Sequence, residues 1–410
     1  MKDIKDFSNL VPKEISDVCK RLWEHGCSPC VVGGIPRDFL LGKKELLDWD
    51  FEVRSVNGND DVEKLILQAY PETQSLGFGV YRLNLSDNSQ LEFSIPRLEN
   101  FPVEIDKIKD HPLSHKDFEV ALSPNASFID SFKRRDLTIN AIGFDYQNSS
   151  WALVDPYNGV SDLKSSVARP CSEDFAFDPV RYLRSLRFEL LFNLNRSKEL
   201  DDLLFKMDLS LATDHYLLYE AMKAGFFPFM SKIFSSLKSH NVSYPETWDE
   251  LEFLDGNSIE AKFTTADQVL MYAVWLSDWN LSELGKVERF LKLRRGRAKH
   301  FLLGKSFFNK VIEVDWNKKV SDLKSMAWTD QLKNEEFLEL FEAHKHFDSW
   351  TKEEEENLVF LFDKNDAFSN WRKAFPRVLS GRELFDKNQK TESVTPSQRS
   401  LFKLHCHIGS

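Results

Sequence analysis

The sequence predicts an α+β protein, with a small mixed β-sheet flanked by helices in the first part of the chain and helical modules after it. Period-2 alternation is confined to the early segments Asp48–Val53, Val80–Leu85 and Gln90–Ile95, as half-buried strands require. From about residue 174 onward, stretches such as Val180–Leu194 and Val287–Phe308 carry apolar residues at helical spacing, and strand signals become rare. A third observation fixes how the sheet begins: the apolar run ending in Val31-Val32 breaks at Gly33-Gly34 and reopens as a short helix at Arg37-Asp38.

In chain order, residues 14–26 read as a helix, residues 28–32 as a buried strand, residues 48–54 as a strand and residues near 60–69 as a helix. The segments Val80–Leu85 and Gln90–Ile95 read as a hairpin-like pair. Arg134, Arg135, Asp136 and Asn140 fall within what reads as one helical entry, and Asp386–Ser397 is polar enough to be a loop. No internal repeat is present.

The chemistry concentrates at the glycine turn. Gly33-Gly34 let backbone N–H groups approach phosphate oxygens, and Asp48 and Asp50, two residues apart on a strand, are expected on one face. Paired carboxylates on a rigid element can hold Mg²⁺ ions that bridge a triphosphate and an attacking hydroxyl, the outline of a nucleotidyltransferase site. A P-loop is excluded, because Gly42-Lys43 has no glycine five residues earlier and no Ser or Thr after it.

These residues resemble the signature of the class II tRNA nucleotidyltransferase (CCA-adding) and bacterial poly(A) polymerase family, Gly-Gly-x-Val-Arg-Asp-x-Leu-Leu-Gly followed by Asp-x-Asp. Further blocks follow in the family's order. Lys133–Asp145 is similar to its Arg-Arg-Asp-Phe-Thr-Ile-Asn-Ala block, Val154–Leu163 to its Asp-Pro-x-x-Gly-x-x-Asp-Leu block, and Phe177–Phe188 to its Glu-Asp-Pro-x-Arg-x-Leu-Arg-x-x-Arg-Phe helix. The likeness spans residues 28–190 and is faint beyond them, where Ser380–Leu384 weakly resembles the family's tail. It implies a nucleotidyltransferase head at 28–160 after an N-terminal helical extension at 1–27. A helical neck at 161–235, a body at 236–340 and a tail at 341–410 would follow.

The resemblance also implies roles. Asp48 and Asp50 would hold Mg²⁺, and Glu92 would be the third carboxylate, orienting or deprotonating a 3′-hydroxyl, although a glutamate beside Phe93 equally fits a solvent-facing position. Gly33, Gly34, Arg37 and Arg135 would take the triphosphate, with Asp136 or Asn140 accepting from a ribose hydroxyl. Asp178 and Arg181, at i and i+3, would read the incoming base, and Arg184 would continue that face toward base or phosphate, while Leu183, Leu186 and Phe188 are core candidates. Asp accepts from the exocyclic amine of C or A and Arg donates to the adjacent ring nitrogen, a pattern U and G reverse. The chain departs from the family at Pro36 and at Phe177, which stands where the family has a Glu that could hold Arg181. It departs again in the glycine-free segment 98–133, which corresponds to the family's flexible loop.

Composition bounds the partners. The 410 residues are 42% hydrophobic, enough for several compact modules. No apolar run is long enough to span a bilayer, the first residues lack a signal-peptide core, and five cysteines without extracellular features suit a reducing cytosol. The Cys27-x-x-Cys30 pair lacks the second pair of a zinc site, and His405-Cys406-His407 reads no more strongly. A net charge of −11 argues against an indifferent binder of long RNA, yet Lys292, Arg294, Arg295, Arg297 and Lys299 form a basic strip, either a solvated helix face or a phosphate contact. The expected function is a template-independent enzyme that adds C and/or A from CTP and ATP to tRNA 3′ ends. The alternatives are a poly(A) polymerase-like enzyme with altered specificity and a non-catalytic tRNA-binding relative. An adjacent His-Asp pair, which the family's optional phosphohydrolase module needs, is absent from the chain.

Overall fold

The computed structural model describes residues 6–58, 61–85, 89–255, 265–277, 279–299, 301–302 and 305. The chain divides into two units, Met1–Lys262 and Phe263–Ser410. The expected tail, the Ser380–Leu384 segment, the Asp386–Ser397 loop and the His405–His407 cluster lie outside the described residues. The α+β architecture is as the sequence predicts, a mixed seven-stranded sheet followed by helices.

In the first unit, α1 (Phe7–Leu10) and the amphipathic α2 (Lys13–Glu24) precede β1 (Cys27–Val32). Strand β1 is buried along its whole length because it lies inside the sheet, with Cys27 and Cys30 buried in it. After α3 (Gly34–Leu40) come β2 (Asp50–Ser55), α4 (Val62–Ala69), β3 (Gln74–Gly77), β4 (Val80–Asn84) and β5 (Gln90–Ser94). Strands β4 and β5 form the antiparallel hairpin expected from their alternation. Strand β5 then pairs in parallel with β2, placing Glu92 opposite Asp50. The segment expected to be a flexible loop is instead built around a small antiparallel pair, β6 (Arg97–Asn100) with β7 (Glu119–Leu122), followed by α5 (Phe128–Lys133). Strands β8 (Gly143–Gln147) and β9 (Ser150–Val154) complete the sheet order β3-β4-β5-β2-β1-β8-β9.

Beyond the sheet, α6 (Gly159–Lys164) leads to a short parallel pair, β10 (Val167–Ala168) with β11 (Asn195–Arg196), which an all-helical neck did not anticipate. Between them runs α7 (Pro179–Phe192), and α8 (Lys198–Lys206), α9 (Asp214–Ala224) and α10 (Phe226–His240) follow. Helix α7 packs on α9 and α10 through Tyr182, Leu183 and Leu186, all fully buried, and the Tyr182 hydroxyl bonds Ser236 at 2.8 Å. The expected boundary at 235/236 falls inside α10, and the one at 160/161 inside α6.

In the second unit, α11 (Ala266–Leu276) and α12 (Leu281–Phe290) each start with a complete capping box, at Thr265/Gln268 and Asn280/Glu283. The helix expected over Val287–Phe308 breaks after Phe290. Lys292 and Gly296 both take positive φ, at 56° and 94°, a conformation a continuing helix excludes.

Candidate active site

Gly33 turns the chain from β1 into α3 with φ 79° and ψ −128°, and a Cβ placed there would lie 3.2 Å from the Asp50 carboxylate. Glycine is therefore required twice over, for the conformation and for the close approach of the turn to β2. Asp50 begins β2. Asp48 does not belong to the strand, contrary to the alternation expected for 48–54: it sits two residues before Asp50 with φ 61° and is exposed, with Trp49 buried between them. The two carboxylates converge because the left-handed residue turns the chain, rather than because a strand repeats.

Burial raises the Asp50 carboxyl, Glu92 and Asp48 raise it further, and Arg135 offsets part of the effect, leaving it at about 6. Glu92 is itself paired with Arg82 at 2.7 Å. Two residues along β2 from Asp50, Glu52 is fully buried and bonded to Ser131 and Arg54, which ties the strand to α5.

The Arg134–Asn140 block lies at a helix exit rather than the expected entry. Arg134 closes α5, and the chain then extends before a short helical turn at Thr138–Asn140. Asp136 is buried and accepts from the Leu137 N–H at 2.8 Å, from Asn140 Nδ2 at 2.9 Å and from Arg184 Nε at 2.7 Å. Burial opposes its charge, but Arg184 and these donors outweigh burial and hold the carboxyl well below the usual range. Asn140 in turn accepts from Arg37. Both groups expected to accept from a ribose are thus committed to an internal network that joins α3, the 134–140 block and α7. Arg37 also bonds Asp38 at 2.9 Å and lies over the Phe188 and Phe192 rings. Arg134 is half-buried, and desolvation together with the like charges of Arg135 and Arg97 lowers its guanidinium to about 10.

The Val154–Leu163 block acts by support. Asp155 accepts from the Gly159 and Val160 N–H groups at 2.6 and 3.1 Å, capping α6, and Asp162 accepts from the Thr138 hydroxyl at 2.7 Å. It fixes the turn that carries Asn140.

Asp178 is the N-cap of α7 rather than a residue within it, accepting from the Val180 N–H at 2.9 Å. Arg181 reaches to 3.7 Å from Asp178 but is held mainly by Glu99 of β6, at 2.8 Å, and by the Asp174 carbonyl, at 2.8 Å. Glu99 is thus the carboxylate that occupies Arg181 in this structure, and Phe177 instead stacks on Phe101 at 4.6 Å. Sequence reading passed over Glu99, His115, Tyr216, Tyr219 and Lys223. The last three fall at i, i+3 and i+7 on α9, a spacing that marks one helix face.

A cavity of about 1050 Å³ brings these groups together. Gly33, Gly34, Arg37, Asp48 and Asp50 border it, as do Arg135, Asp136, Asn140, Asp178, Arg181 and Arg184. Seven arginines and two lysines line it against seven carboxylates, so a chain of net charge −11 keeps a site with a small excess of positive charge. Glu92 is not on its wall but lies beside Asp50 through the sheet register. Among the described residues no group of three or more His, Cys, Asp or Glu side chains is placed to chelate a metal on its own. Two carboxylates suit Mg²⁺, which keeps water and substrate oxygens as its other ligands, and the mutual repulsion at Asp50 is what a cation would relieve. In the second unit, Lys292, Arg294 and Arg295 are exposed on the turn after α12, Lys299 is exposed on the helical residues that follow it, and Arg297 pairs with Asp267 at 2.6 Å.

Comparison with known proteins agrees with this geometry. A family model described as Poly A polymerase head domain matches residues 30–169. The chain is 33% identical over 185 residues to a Multifunctional CCA protein of Nitrosococcus oceani, covering 45% of this chain and 40% of that protein. It is 33% identical over 158 residues to a CCA-adding enzyme of Marinobacter nauticus, covering 38% and 37% of the two chains. The matches thus span about two-fifths of the length of these relatives. In fold the chain is similar to the Bacillus stearothermophilus CCA-adding enzyme in complex with CTP, with a TM-score of 0.59 and 14% identity over 100% of this chain and 94% of that one. Over residues 30–169, then, the chain is similar to the Poly A polymerase head domain, and over much the same stretch to proteins named as CCA-adding.

Proposed function

We propose that this chain is a template-independent nucleotidyltransferase that adds C and/or A from CTP and ATP to the 3′ end of tRNA, using Mg²⁺ held by Asp48 and Asp50. One observation carries the reading: a single cavity joins paired carboxylates, a glycine turn with arginines, and an Asp–Arg pair at the start of α7. These are the groups needed for metal, triphosphate and base. The curated relatives are named as CCA proteins, and solved structures of similar fold hold CTP or ATP.

In this reading Asp48 and Asp50 bind the metal in their ionised forms. Mg²⁺, when bound, neutralises charge between the triphosphate and the attacking hydroxyl. Gly33, Gly34, Arg37 and Arg135 face the triphosphate, and Arg37 is aimed by Asn140. Glu92, beside Asp50, accepts the proton of the 3′-hydroxyl or orients it. Asp136 positions Arg184 and Asn140. Asp178 and Arg181 select C and A, because U or G would leave a buried donor and acceptor mismatched at ~1–3 kcal/mol each. The division into head, neck, body and tail, phosphate contacts by the basic strip and a cytosolic location belong to the same proposal. No helix among the described residues is long and apolar enough to cross a membrane.

The test is to incubate the purified chain and Mg²⁺ with tRNA transcripts ending before, within and just short of CCA, giving each NTP singly and all together. Short C and A additions that halt are expected. Long A tracts would replace this reading with a poly(A) polymerase, and no incorporation would leave a non-catalytic relative.

A further inference from the structure

The Asp178–Arg181 pair, which the proposed function makes the reader of the incoming base, is already occupied by side chains of one β-hairpin. His115, from the connection between β6 and β7, places Nδ1 at 3.0 and 2.9 Å from the two Asp178 carboxylate oxygens. A carboxylate only accepts, so Nδ1 carries the hydrogen and donates it. Glu99 of β6 accepts from Arg181 at 2.8 Å, and both of these side chains are 6–7% exposed. The hairpin therefore offers Asp178 a donor and offers Arg181 an acceptor.

That is the pattern of the Watson–Crick edge of cytosine or adenine, an amine donor beside a ring-nitrogen acceptor. We infer that His115 and Glu99 act as an internal pseudo-base, an intramolecular competitor that must leave the Asp178–Arg181 pair before CTP or ATP is read. The remaining valences support this. One Asp178 oxygen also takes the Val180 N–H, and the other guanidinium nitrogens of Arg181 are engaged by Asp178 and the Asp174 carbonyl, so no base-reading edge is left open. The competitor is also anchored, through Phe101 stacked on Phe177 and the His115 ring against Tyr216 at 5.0 Å. Its His115 end is the looser one, since that side chain is 38% exposed while Asp178 is 9% exposed.

A nucleotide that matches the pair replaces both hairpin contacts with equivalent ones, whereas UTP or GTP would displace them without compensation. The closed arrangement lowers apparent affinity by the fraction of molecules that are open. Removing one hairpin contact should therefore lower KM for CTP and ATP together and leave kcat nearly unchanged.

The experiment uses the full chain and His115→Ala, with Glu99→Gln as a second variant that keeps an acceptor and volume at Arg181. Steady-state kinetics on a tRNA lacking its last residues should show KM for CTP and ATP falling roughly 3- to 10-fold in His115→Ala at similar kcat. In parallel, hydrogen exchange of wild type without RNA should rise across residues 112–118 on adding CTP or ATP and stay unchanged with UTP. An unchanged or higher KM in His115→Ala, or protection of 112–118 by CTP, would overturn the inference. Wild type that binds CTP with that exchange signature but transfers nothing would count against the transferase reading alone. No response to CTP or ATP would overturn the pseudo-base.

Discussion

Asp50 and Glu92 are register partners across the parallel β2–β5 pair, so their carboxylates emerge on one face of the sheet. Asp50, already pushed up by burial, is raised further by Glu92 and Asp48, to about 6 from an ordinary 3.8. A carboxyl whose folded pKa is raised contributes stability that is complete below its unfolded pKa and is lost as pH rises through the folded one. The metal-free protein should lose this contribution between about pH 4 and 6. Bound Mg²⁺ needs the ionised form, so the Mg²⁺-induced rise in Tm should be small near pH 5 and grow toward neutrality. Asp50→Asn should raise the metal-free stability at neutral pH by on the order of 1 kcal/mol and abolish the Mg²⁺ response. An Mg²⁺ response of equal size in wild type across this range would show that Asp50 is not a ligand.

If Asp48 and Asp50 hold the metal as proposed, Asp48→Ala and Asp50→Ala should each reduce kcat by ~10³-fold or more, because each would remove one of its two carboxylate ligands. Single-turnover addition of C to a tRNA lacking CCA measures this directly. Activity within tenfold of wild type in either variant would end the assignment of the paired carboxylates.

Arg181→Ala should blur the preference for CTP and ATP over UTP and GTP while leaving RNA affinity nearly unchanged. It should also destabilise the fold by ~3 kcal/mol, since Glu99, 6% exposed, would keep only Arg97 at 3.6 Å. Competition between NTPs in one reaction reads the first effect and denaturant unfolding the second. An unchanged NTP preference would remove the base-reading role from Arg181.

Much of the head was legible because its signals are local. The strand-turn-helix at 27–40 and the β4–β5 alternation need only neighbours in sequence. What escaped depends on distance or on single dihedrals. The Glu99–Arg181 contact spans 82 residues and the His115–Asp178 contact 63, and neither Glu99 nor His115 carries a local mark of its partner. Asp48 reads as a strand residue because alternation reports side-chain polarity and not φ. The helix predicted through Lys292 fails for the same reason, its apolar spacing continuing across a left-handed break.

Gly159→Ala tests the supporting layer. A Cβ there would lie 2.0 Å from the Thr138 carbonyl oxygen and 2.7 Å from its carbon, backbone that can yield only by moving the Thr138–Asn140 turn. The expected cost is ~2 kcal/mol or more, with activity lost beyond what unfolding explains, because Asn140 aims Arg37. Wild-type activity per folded molecule would mean that the Arg37–Asn140 contact does not matter to transfer.

The basic turn after α12 offers a prediction that separates RNA contact from chemistry. Lys292, Arg294, Arg295 and Lys299 are exposed, and Arg297 is the member committed to an acidic partner, Asp267. If the exposed four meet tRNA phosphates, each neutralised residue removes one released counterion and lowers the salt dependence of binding by about one unit of log–log slope. Arg294→Ala with Arg295→Ala should therefore weaken tRNA binding most at low salt, raise KM for tRNA, and leave KM for CTP and kcat at saturating tRNA alone. Arg297→Ala should lower the stability of the second unit instead, through the loss of Asp267. Equal salt slopes for wild type and the double variant would make the strip a solvated surface, the other reading its composition allows.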